Sequence, residues 1–274
     1  MLYRAIGNDD NYISRIGYAF SEDGYNFERQ KNIALGPVES YEKYGMEDPR
    51  LVSVDKQVYL TYVTLSDYVS NYPIGSTALA TTVDFREYAR LGIITSEGSD
   101  NKDVVLFPEK INGKYFFLHR PTSWVGPKFG IGKPSIWIGE GDSITKFEHH
   151  TMLMTPEYDW EFYRIGSGPP PLKTKDGWLL IYHGVDENLT YRSGAALLDI
   201  QQPNVVIGRT KTPILEPHEA FEKNGDVNNV VFPTGACIID EDLYVYYGAA
   251  DTVCCVASVN LDLLLERINS DSRS

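Results

Sequence analysis

The chain has 274 residues, enough for one large domain or two small ones. Its hydrophobic content of 42% supports a sizeable core and excludes global disorder. The formal net charge of −13 argues against nucleic acid as a partner, and an anionic small ligand would need a local basic pocket against that background.

The cysteines and the first residues set the expected compartment. Cys237, Cys254 and Cys255 are odd in number and lack C-x-x-C spacing, which argues against a disulfide framework and against a metal site. No apolar run reaches membrane-spanning length, and the opening MLYRAIGNDD lacks the regions of a signal peptide. We therefore expect a cytoplasmic protein with no membrane partner and no metal.

Short runs rich in Tyr, Val, Ile and Phe dominate the chain, and Gly, Pro, Asp and Asn separate them, which is typical of an all-β protein. Five of these runs end in polar residues, and four follow a turn and another strand-like run. Two of the turns contain Asn-Gly or Asp-Gly, which are strong hairpin signals. The five runs are LYRAIG from residue 2, YLTYVTLS from 59, YFFLHRP from 115, WLLIYHGV from 178 and LYVYYGAAD from 243.

Each of the five runs is followed by a second run that leads to an aspartate, at intervals of about 60 residues. Five units of three or four strands predict a five-bladed β-propeller, and a β-sandwich with coincidental spacing is the alternative. We expect one propeller domain over residues 1–274. Because the first unit has no leading strand, an N-terminal strand is expected to be missing. The aspartates are Asp23, Asp84, Asp142, Asp199 and Asp262.

The inner strands of a propeller surround an axial funnel, so residues at corresponding strand ends should meet there. These predicted ends are rich in charge for positions beside apolar runs. The candidates are Asp48, Asp103, residues 166–168 and Asn228 on the inner strands, and Arg4, Arg120, His183 and Asp251 on their partner strands.

The stretch YEKYGMEDPRL, residues 41–51, places Glu47 and Asp48 beside Arg50 and just before an apolar run. For an isolated motif, a loop with a surface salt bridge is the simplest interpretation. A carboxylic acid here could instead protonate a leaving glycosidic oxygen. An inverting hydrolase also needs a second carboxylate that activates water, whereas a phosphorolytic enzyme needs cations that hold phosphate.

Four basic side chains occupy equivalent places in successive units and could form such a phosphate site. Each has a simpler interpretation: a solvated lysine, an arginine paired with a carboxylate, an arginine in a surface loop, and a histidine in the core. Their recurrence at matching positions favours a shared site. They are Lys102, Arg120, Arg164 and His183.

Over nearly its whole length the chain resembles glycoside hydrolase family 130, the β-mannoside phosphorylases and related β-mannosidases. The resemblance rests on LYRAIG, SEDGYNF, YEKYGMEDPRL, NKDVVLFPEKINGKY, LHRP, IGSGPPPLKTKDGWLLIYHGV, FEKNGDVNNVVFPTGA and YYGAADT. It implies a five-bladed propeller with the site at one axial end.

The resemblance also implies roles for individual residues. Asp48 matches the general acid, which in the family is thought to act through a hydroxyl of the mannosyl unit. The phosphate-holding positions match Lys102, Arg120, Arg164 and His183. Positions that hold the sugar match Arg4 and Asp251, and Glu47, Arg50 and Asp103 are expected to bind substrate beside them.

These observations lead to one functional hypothesis and two alternatives. The hypothesis is inverting phosphorolysis of a β-mannoside oligosaccharide or disaccharide to α-mannose 1-phosphate, with inorganic phosphate as co-substrate and no cofactor. The alternatives are a β-mannosidase on the same site and an inactive sugar-binding propeller. The linkage, the acceptor sugar and a homo-oligomeric state are left open.

Overall fold

The computed structural model describes residues 1–7, 12–70, 72–96 and 99–273, and these form five separate antiparallel sheets. The first three sheets, or blades, follow one another along the chain. Blade 1 comprises β1 (Leu2–Ile6), β2 (Ser14–Phe20) and β3 (Glu28–Arg29); blade 2 comprises β4 (Met46–Val54), β5 (Gln57–Val69), β6 (Tyr72–Thr82) and β7 (Ala89–Ile93); blade 3 comprises β8 (Asn101–Leu106), β9 (Tyr115–Pro121), β10 (Ile136–Gly141) and β11 (His149–Met154).

The last two blades complete the ring, and a helix follows the final strand. Within the described ranges, no helix is long and apolar enough to cross a membrane. Blade 4 comprises β12 (Arg164–Ser167), β13 (Leu172–Lys173), β14 (Trp178–Val185), β15 (Tyr191–Leu198) and β16 (Val206–Arg209); blade 5 comprises β17 (Val231–Ile239), β18 (Asp242–Ala249) and β19 (Val253–Asn260); the helices are α1 (Ala220–Lys223) and α2 (Leu261–Arg273).

Strands adjacent in sequence pair within each blade, except that β12 pairs with β14 and not with the two-residue β13, which also pairs with β14. The prediction of a five-bladed β-propeller is therefore confirmed. The repeating aspartates lie just after the predicted second run of each unit. Three of them close the next turn, because Asp23, Asp84 and Asp199 each accept two backbone N–H groups from residues two and three further on.

Blade 1 differs from the others at its inner edge. In sequence β1 is the equivalent of β5, β9, β14 and β18, each of which pairs with a strand nearer the axis. Within the described residues, β1 pairs with β2 alone. A further N-terminal strand at this edge stays a prediction.

The core fills the spaces between blades. Its largest cluster joins blade 3 to blade 4, with Leu118, Ile138 and Trp178 all buried among apolar neighbours. Burial of a side chain of this size stabilises the fold by about 1.5–3 kcal/mol. The blades therefore hold their inner strands in fixed relation to one another around the axis.

Buried glutamates fix the turns that lead into three of the inner strands, a feature that the sequence did not predict. Glu42 precedes β4, and its carboxylate accepts hydrogen bonds from the backbone of residues 38 and 39, from Tyr62 and from Arg90. Glu161 before β12 and Glu222 before β17 repeat the arrangement with a tyrosine and backbone N–H groups.

Candidate active site

A cavity of about 1020 Å³ lies where the inner strands of blades 2–5 meet. Each of these blades supplies part of the wall, as expected for the axial funnel of a propeller. The charged residues on the wall form an acidic group and a basic group. The acidic group is Glu47, Asp48 and Asp251 with Arg4 between them; the basic group is Lys102, Arg120 and Arg164, of which Arg120 pairs with Asp103; Lys173 also lines the wall.

Irregular backbone at the inner strands directs two of these side chains. The pairing register shifts between Glu47 and Arg50 in β4 and between Lys102 and Val105 in β8. Inside these bulges, Asp48 and Asp103 adopt φ values of 50° and 58°. A bulge inserts an extra residue and turns its side chain away from the regular alternation. The two aspartates therefore occupy equivalent places in adjacent blades.

Arg4 connects the carboxylates of the acidic group. Its guanidinium lies 3.3 Å from Glu47 and 3.4 Å from Asp251. Burial raises the pKa of Glu47, and the charges of Asp48 and Asp251 add to this while Lys102 and Arg4 oppose it. Burial likewise raises the pKa of Asp251 against the attraction of Arg4. Both carboxyls therefore hold a proton more readily than exposed ones.

Asp48 is half-buried and faces the cavity. Its backbone oxygen accepts a hydrogen bond from Arg50 at 3.1 Å. Among the described residues, no side chain donates a hydrogen bond to its carboxylate, so this group is open to a ligand in the cavity. A half-buried, unpaired carboxyl with such access has the geometry that a proton donor needs.

Asp103 is the anion within the basic group. Only 1% of it is exposed, and its two oxygens lie 2.6 Å from Nε of Arg120 and 3.3 Å from Arg50. Burial alone would raise the pKa of this carboxyl, but Arg120, His183 and Arg50 together hold it well below its ordinary value. Asp103 is therefore ionised, and both oxygens already have partners.

His183 lies next to Asp103 and is also buried. Burial is the main cause that lowers its pKa to about 3, and Arg120, Arg164 and Arg50 lower it further while Asp103 opposes them. The imidazole is therefore neutral at neutral pH. Its Nε2 stands 3.7 Å from Asp103, too far for a hydrogen bond, and its Nδ1 has no described partner.

Gly166 packs so closely against Asp103 and His183 that a larger residue would not fit there. A Cβ at Gly166 would lie 2.2 Å from Oδ2 of Asp103 and 2.5 Å from Cε1 of His183.

Arg164, two residues earlier on β12, donates to the hydroxyl of Tyr191 and has a buried Nε without a described partner. Lys102 extends across Gly75 of the neighbouring blade.

The structure brings nine of the ten sequence-predicted site residues to the cavity wall, all except Arg50. Arg50 lies behind the wall at 2% exposure, and its donors bond Asp103 and the backbone oxygens of Asp48, Ser167 and Gly168. This position favours a positioning role over the direct substrate contact that the sequence predicted. Each oxygen of Asp103 already accepts a hydrogen bond from an arginine.

Two simpler interpretations of the basic residues hold in part. Arg120 is paired with a carboxylate, and His183 is buried, yet both also line the cavity. Asn228 was predicted to reach the funnel but does not line the cavity. In blade 5 the shift in pairing register lies further along the chain, between Pro233 and Gly235 of β17.

Sequence reasoning missed the aromatic part of the wall. Tyr191 and Phe232 line the cavity, and both rings pack against His183, at 5.9 and 4.7 Å between ring centroids. No local motif identifies them, because ordinary strand residues in blades 4 and 5 become neighbours only when the ring closes. Such faces suit a sugar ring.

No group of three or more His, Cys, Asp or Glu side chains in the described ranges is arranged to hold a metal ion. The cavity wall carries carboxyls, cations and a neutral imidazole. An open carboxyl can give a proton to a leaving oxygen, and a cation cluster can hold an anionic nucleophile.

The fold and the site define a class of protein: a five-bladed propeller whose axial pocket sets carboxyls against a cation cluster. The chain belongs to glycoside hydrolase family 130, since residues 1–270 match the family model described as beta-1,4-mannooligosaccharide phosphorylase. The resemblance noted from the sequence motifs is thereby confirmed.

Relatives with high similarity are named as phosphorylases. The chain is 44% identical over 252 residues to a 1,2-beta-oligomannan phosphorylase of Thermoanaerobacter sp. (strain X514), covering 91% of this chain and 80% of the relative. It is 42% identical over 245 residues to a beta-1,2-mannobiose phosphorylase of the same organism, covering 88% and 75%.

A solved structure of the beta-1,2-mannobiose phosphorylase from Listeria innocua, in complex with beta-1,2-mannobiose, has the same fold. The TM-score is 0.85 at 37% identity, and the match covers 94% of this chain and 70% of that chain.

Proposed function

We propose that the protein cleaves a β-mannoside with inorganic phosphate, in one inverting step, to give α-mannose 1-phosphate and a shortened acceptor. One observation carries the proposal. The basic group Lys102, Arg120 and Arg164 shares a cavity with the open carboxyl of Asp48. Asp103, the carboxylate that pairs with Arg120, has its oxygens bonded to arginines, and Glu47 of the acidic group attracts Lys102.

Asp48 is the proton donor in this proposal. Its carboxyl faces the cavity, and the hydrogen bond from Arg50 to its backbone oxygen fixes the bulge that carries it. Arg4, Glu47 and Asp251 surround it and supply hydrogen-bonding groups for the hydroxyls of a mannosyl unit. The proton goes to the leaving oxygen, directly or by way of a sugar hydroxyl, as the bond to the acceptor breaks.

Phosphate is the nucleophile, and it attacks the anomeric carbon from the face opposite the leaving group. Attack from that side turns a β-linkage into an α-phosphate ester. A dianion needs a local cluster of cations in a chain with a net charge of −13. Arg120 and Arg164 can offer forked donors and Lys102 a point charge, and neutral His183 lies beside them on the cavity wall.

A hydrolase would need a carboxylate base on the same side to activate water. Asp103 is a poor candidate for that role because Arg120 and Arg50 hold it ionised and occupy both of its oxygens. This arrangement favours phosphate over water as the attacking group.

A β-1,2 linkage is the preferred substrate in this proposal. The two relatives reported above at 44% and 42% identity, and the solved structure at 37%, all carry names that specify β-1,2 linkages. The family description specifies β-1,4 linkages, so these form the main competing substrate. The proposal needs no cofactor, and it retains the expectation of a cytoplasmic location.

The experiment is a product analysis on β-1,2- and β-1,4-mannobiose, each with and without inorganic phosphate. We expect mannose 1-phosphate from the β-1,2 disaccharide only when phosphate is present. Free mannose at the same rate with or without phosphate would replace the proposal with a β-mannosidase. Binding of the disaccharides without any product would indicate an inactive sugar-binding propeller.

A further inference from the structure

Arg50 and Asp103 form a buried pair between the acidic and basic sides of the cavity. The guanidinium lies 3.3 Å from Oδ1 of Asp103, and the two side chains are 1% and 2% exposed. Neither has the access to substrate that the residues of the acidic group have. Their contacts instead go to the groups that carry the chemistry.

The pair reaches both halves of the site. On one side, Arg50 donates to the backbone oxygen of Asp48 at 3.1 Å, within the bulge that aims the proposed acid. On the other, Asp103 accepts from Nε of Arg120 at 2.6 Å. Arg50 also donates to the backbone oxygen of Gly168 at 2.8 Å, which ties in a third blade.

The charge of Asp103 by itself opposes the proposed role of its neighbours. A buried carboxylate beside a phosphate site repels phosphate, so its electrostatic effect alone would weaken binding. Its hydrogen bond, however, fixes the plane of the Arg120 guanidinium, and only a correctly oriented fork can bond two phosphate oxygens at once. Orientation and charge therefore act in opposite directions at this residue.

We propose that Arg50 and Asp103 are positioning residues that fix the proton donor and the phosphate-holding arginine relative to each other. This inference rests on the proposed function. Arg50 holds the bulge of Asp48, Asp103 holds Arg120, and the ion pair between them sets the separation of the two reacting sides. A displacement of about 1 Å in such an arrangement can lower the rate by about a hundredfold.

Asp103→Asn is the first test, because loss of the charge of Asp103 and loss of its hold on Arg120 would change the KM for phosphate in opposite directions. If charge dominates, loss of the anion lowers the KM for phosphate. If orientation dominates, the KM for phosphate rises about ten- to a hundredfold and kcat falls, as expected for loss of a charge-assisted contact. The inference predicts the second result.

Arg50→Lys is the second variant, and it decides the question if Asp103→Asn does not fold. Lysine keeps the positive charge but cannot bond Asp48, Gly168 and Asp103 together. We expect a lower kcat and a higher KM for phosphate than in the wild type. Asp186→Asn is the matched control. It changes a partly buried carboxylate that lies 2.8 Å from Arg192, and neither residue of this pair lines the cavity.

The readouts are kcat, the KM for phosphate, and the rise in melting temperature that inorganic phosphate produces. The control should lose thermal stability while keeping the wild-type KM and the wild-type phosphate-induced rise. A KM for phosphate that is unchanged or lower in the folded variants overturns the inference, and so does a KM for phosphate that increases as much in the control as in these variants. If the wild type itself shows neither phosphate-dependent product nor phosphate-induced stabilisation, the proposed function fails instead.

Discussion

At the scale of single residues, the surroundings of each carboxyl decide what it can do. Asp48 and Asp103 share the same bulged backbone in adjacent blades, yet one faces the cavity and the other is enclosed by cations. Arg120, His183 and Arg50 keep Asp103 ionised despite its burial, whereas burial raises the pKa values of Glu47 and Asp251. Equivalent positions thus serve different purposes.

Asp48→Asn should lower turnover about 10²- to 10⁴-fold, because the amide keeps the shape of the side chain but has no proton to give. Steady-state rates with phosphate and β-1,2-mannobiose measure the effect, and circular dichroism checks the fold. Asp142→Asn, at an exposed pair with Lys114, is the control and should keep the wild-type rate. Wild-type activity in Asp48→Asn would move the acid to another residue, with Glu47 first, since Asp103 is held ionised.

Gly166→Ala should lower kcat/KM about a hundredfold, because the added methyl group would meet Asp103 and His183 within 2.5 Å. The matched control is Gly132→Ala, where an added Cβ meets nothing within 4 Å. Rates for the two variants are compared under the same conditions. Equal and unchanged activity in both would mean that the layer of Asp103 and His183 can shift without consequence.

At the scale of elements, three of the inner strands are held by turns with buried glutamates. Glu42 bonds Tyr62 and Arg90, and Glu161 bonds Tyr182 and Arg209. Strand and turn patterns predicted the number of blades, because alternating apolar runs and Asp-closed turns are local signals. These glutamates could not be predicted, since their partners are separated by many residues and meet only in the folded blade.

The same limit applies to the site. Asp48, Arg120 and His183 could be assigned from motifs at strand ends, but the burial of Arg50 depends on backbone oxygens of another blade. The packing of Tyr191 and Phe232 against His183 depends on the closure of blade 5 beside blade 4. Position along a strand is readable from sequence, and contact between blades is not.

Glu42→Gln should lower the free energy of unfolding at pH 7 by about 1.5–3 kcal/mol, since it weakens hydrogen bonds to a charged group. Burial would raise the pKa of Glu42, but Arg90 and the backbone donors hold it below 4.5. The folded pKa is therefore lower than the unfolded one, so this stability is present above pH 4.5 and is lost as the pH falls through the folded pKa.

Denaturant unfolding from pH 7 to pH 3 tests that expectation. The difference between wild type and Glu42→Gln should shrink as the pH falls below about 4.5. Glu109→Gln, at an exposed pair with Lys173, is the control and should change stability by about 0–1 kcal/mol. A difference that stays constant across this range would show that the charge of Glu42 does not stabilise the blade.

At the scale of the whole molecule, a strongly acidic chain forms a local basic site at its axis. The net charge is −13, yet the cavity wall brings together Lys102 and Arg120 of blade 3 and Arg164 of blade 4. Long-range repulsion of phosphate by the surface must therefore be outweighed at short range. Salt screens the surface charges more than the enclosed ones, so phosphate binding should tolerate moderate ionic strength.

Activity should survive treatment with a chelator. Proton donation by a carboxyl and attack by phosphate require no metal ion, and the described residues offer no cluster of metal ligands. The assay compares rates before and after incubation with EDTA, with added Mg²⁺ or Mn²⁺ as a restoration arm. Loss of activity that a single divalent ion restores would contradict the proposed mechanism.

In the proposed reaction, phosphate held by Arg120 and its neighbours is the nucleophile. The most direct measurement follows mannose 1-phosphate and free mannose over a phosphate titration, in the wild type and in Arg120→Ala. We predict that the wild type forms mannose 1-phosphate with saturation in phosphate, and that Arg120→Ala needs about ten- to a hundredfold more phosphate and turns over more slowly, because it lacks one charge-assisted contact. Release of free mannose alone by the wild type, whatever the phosphate concentration, would contradict the account.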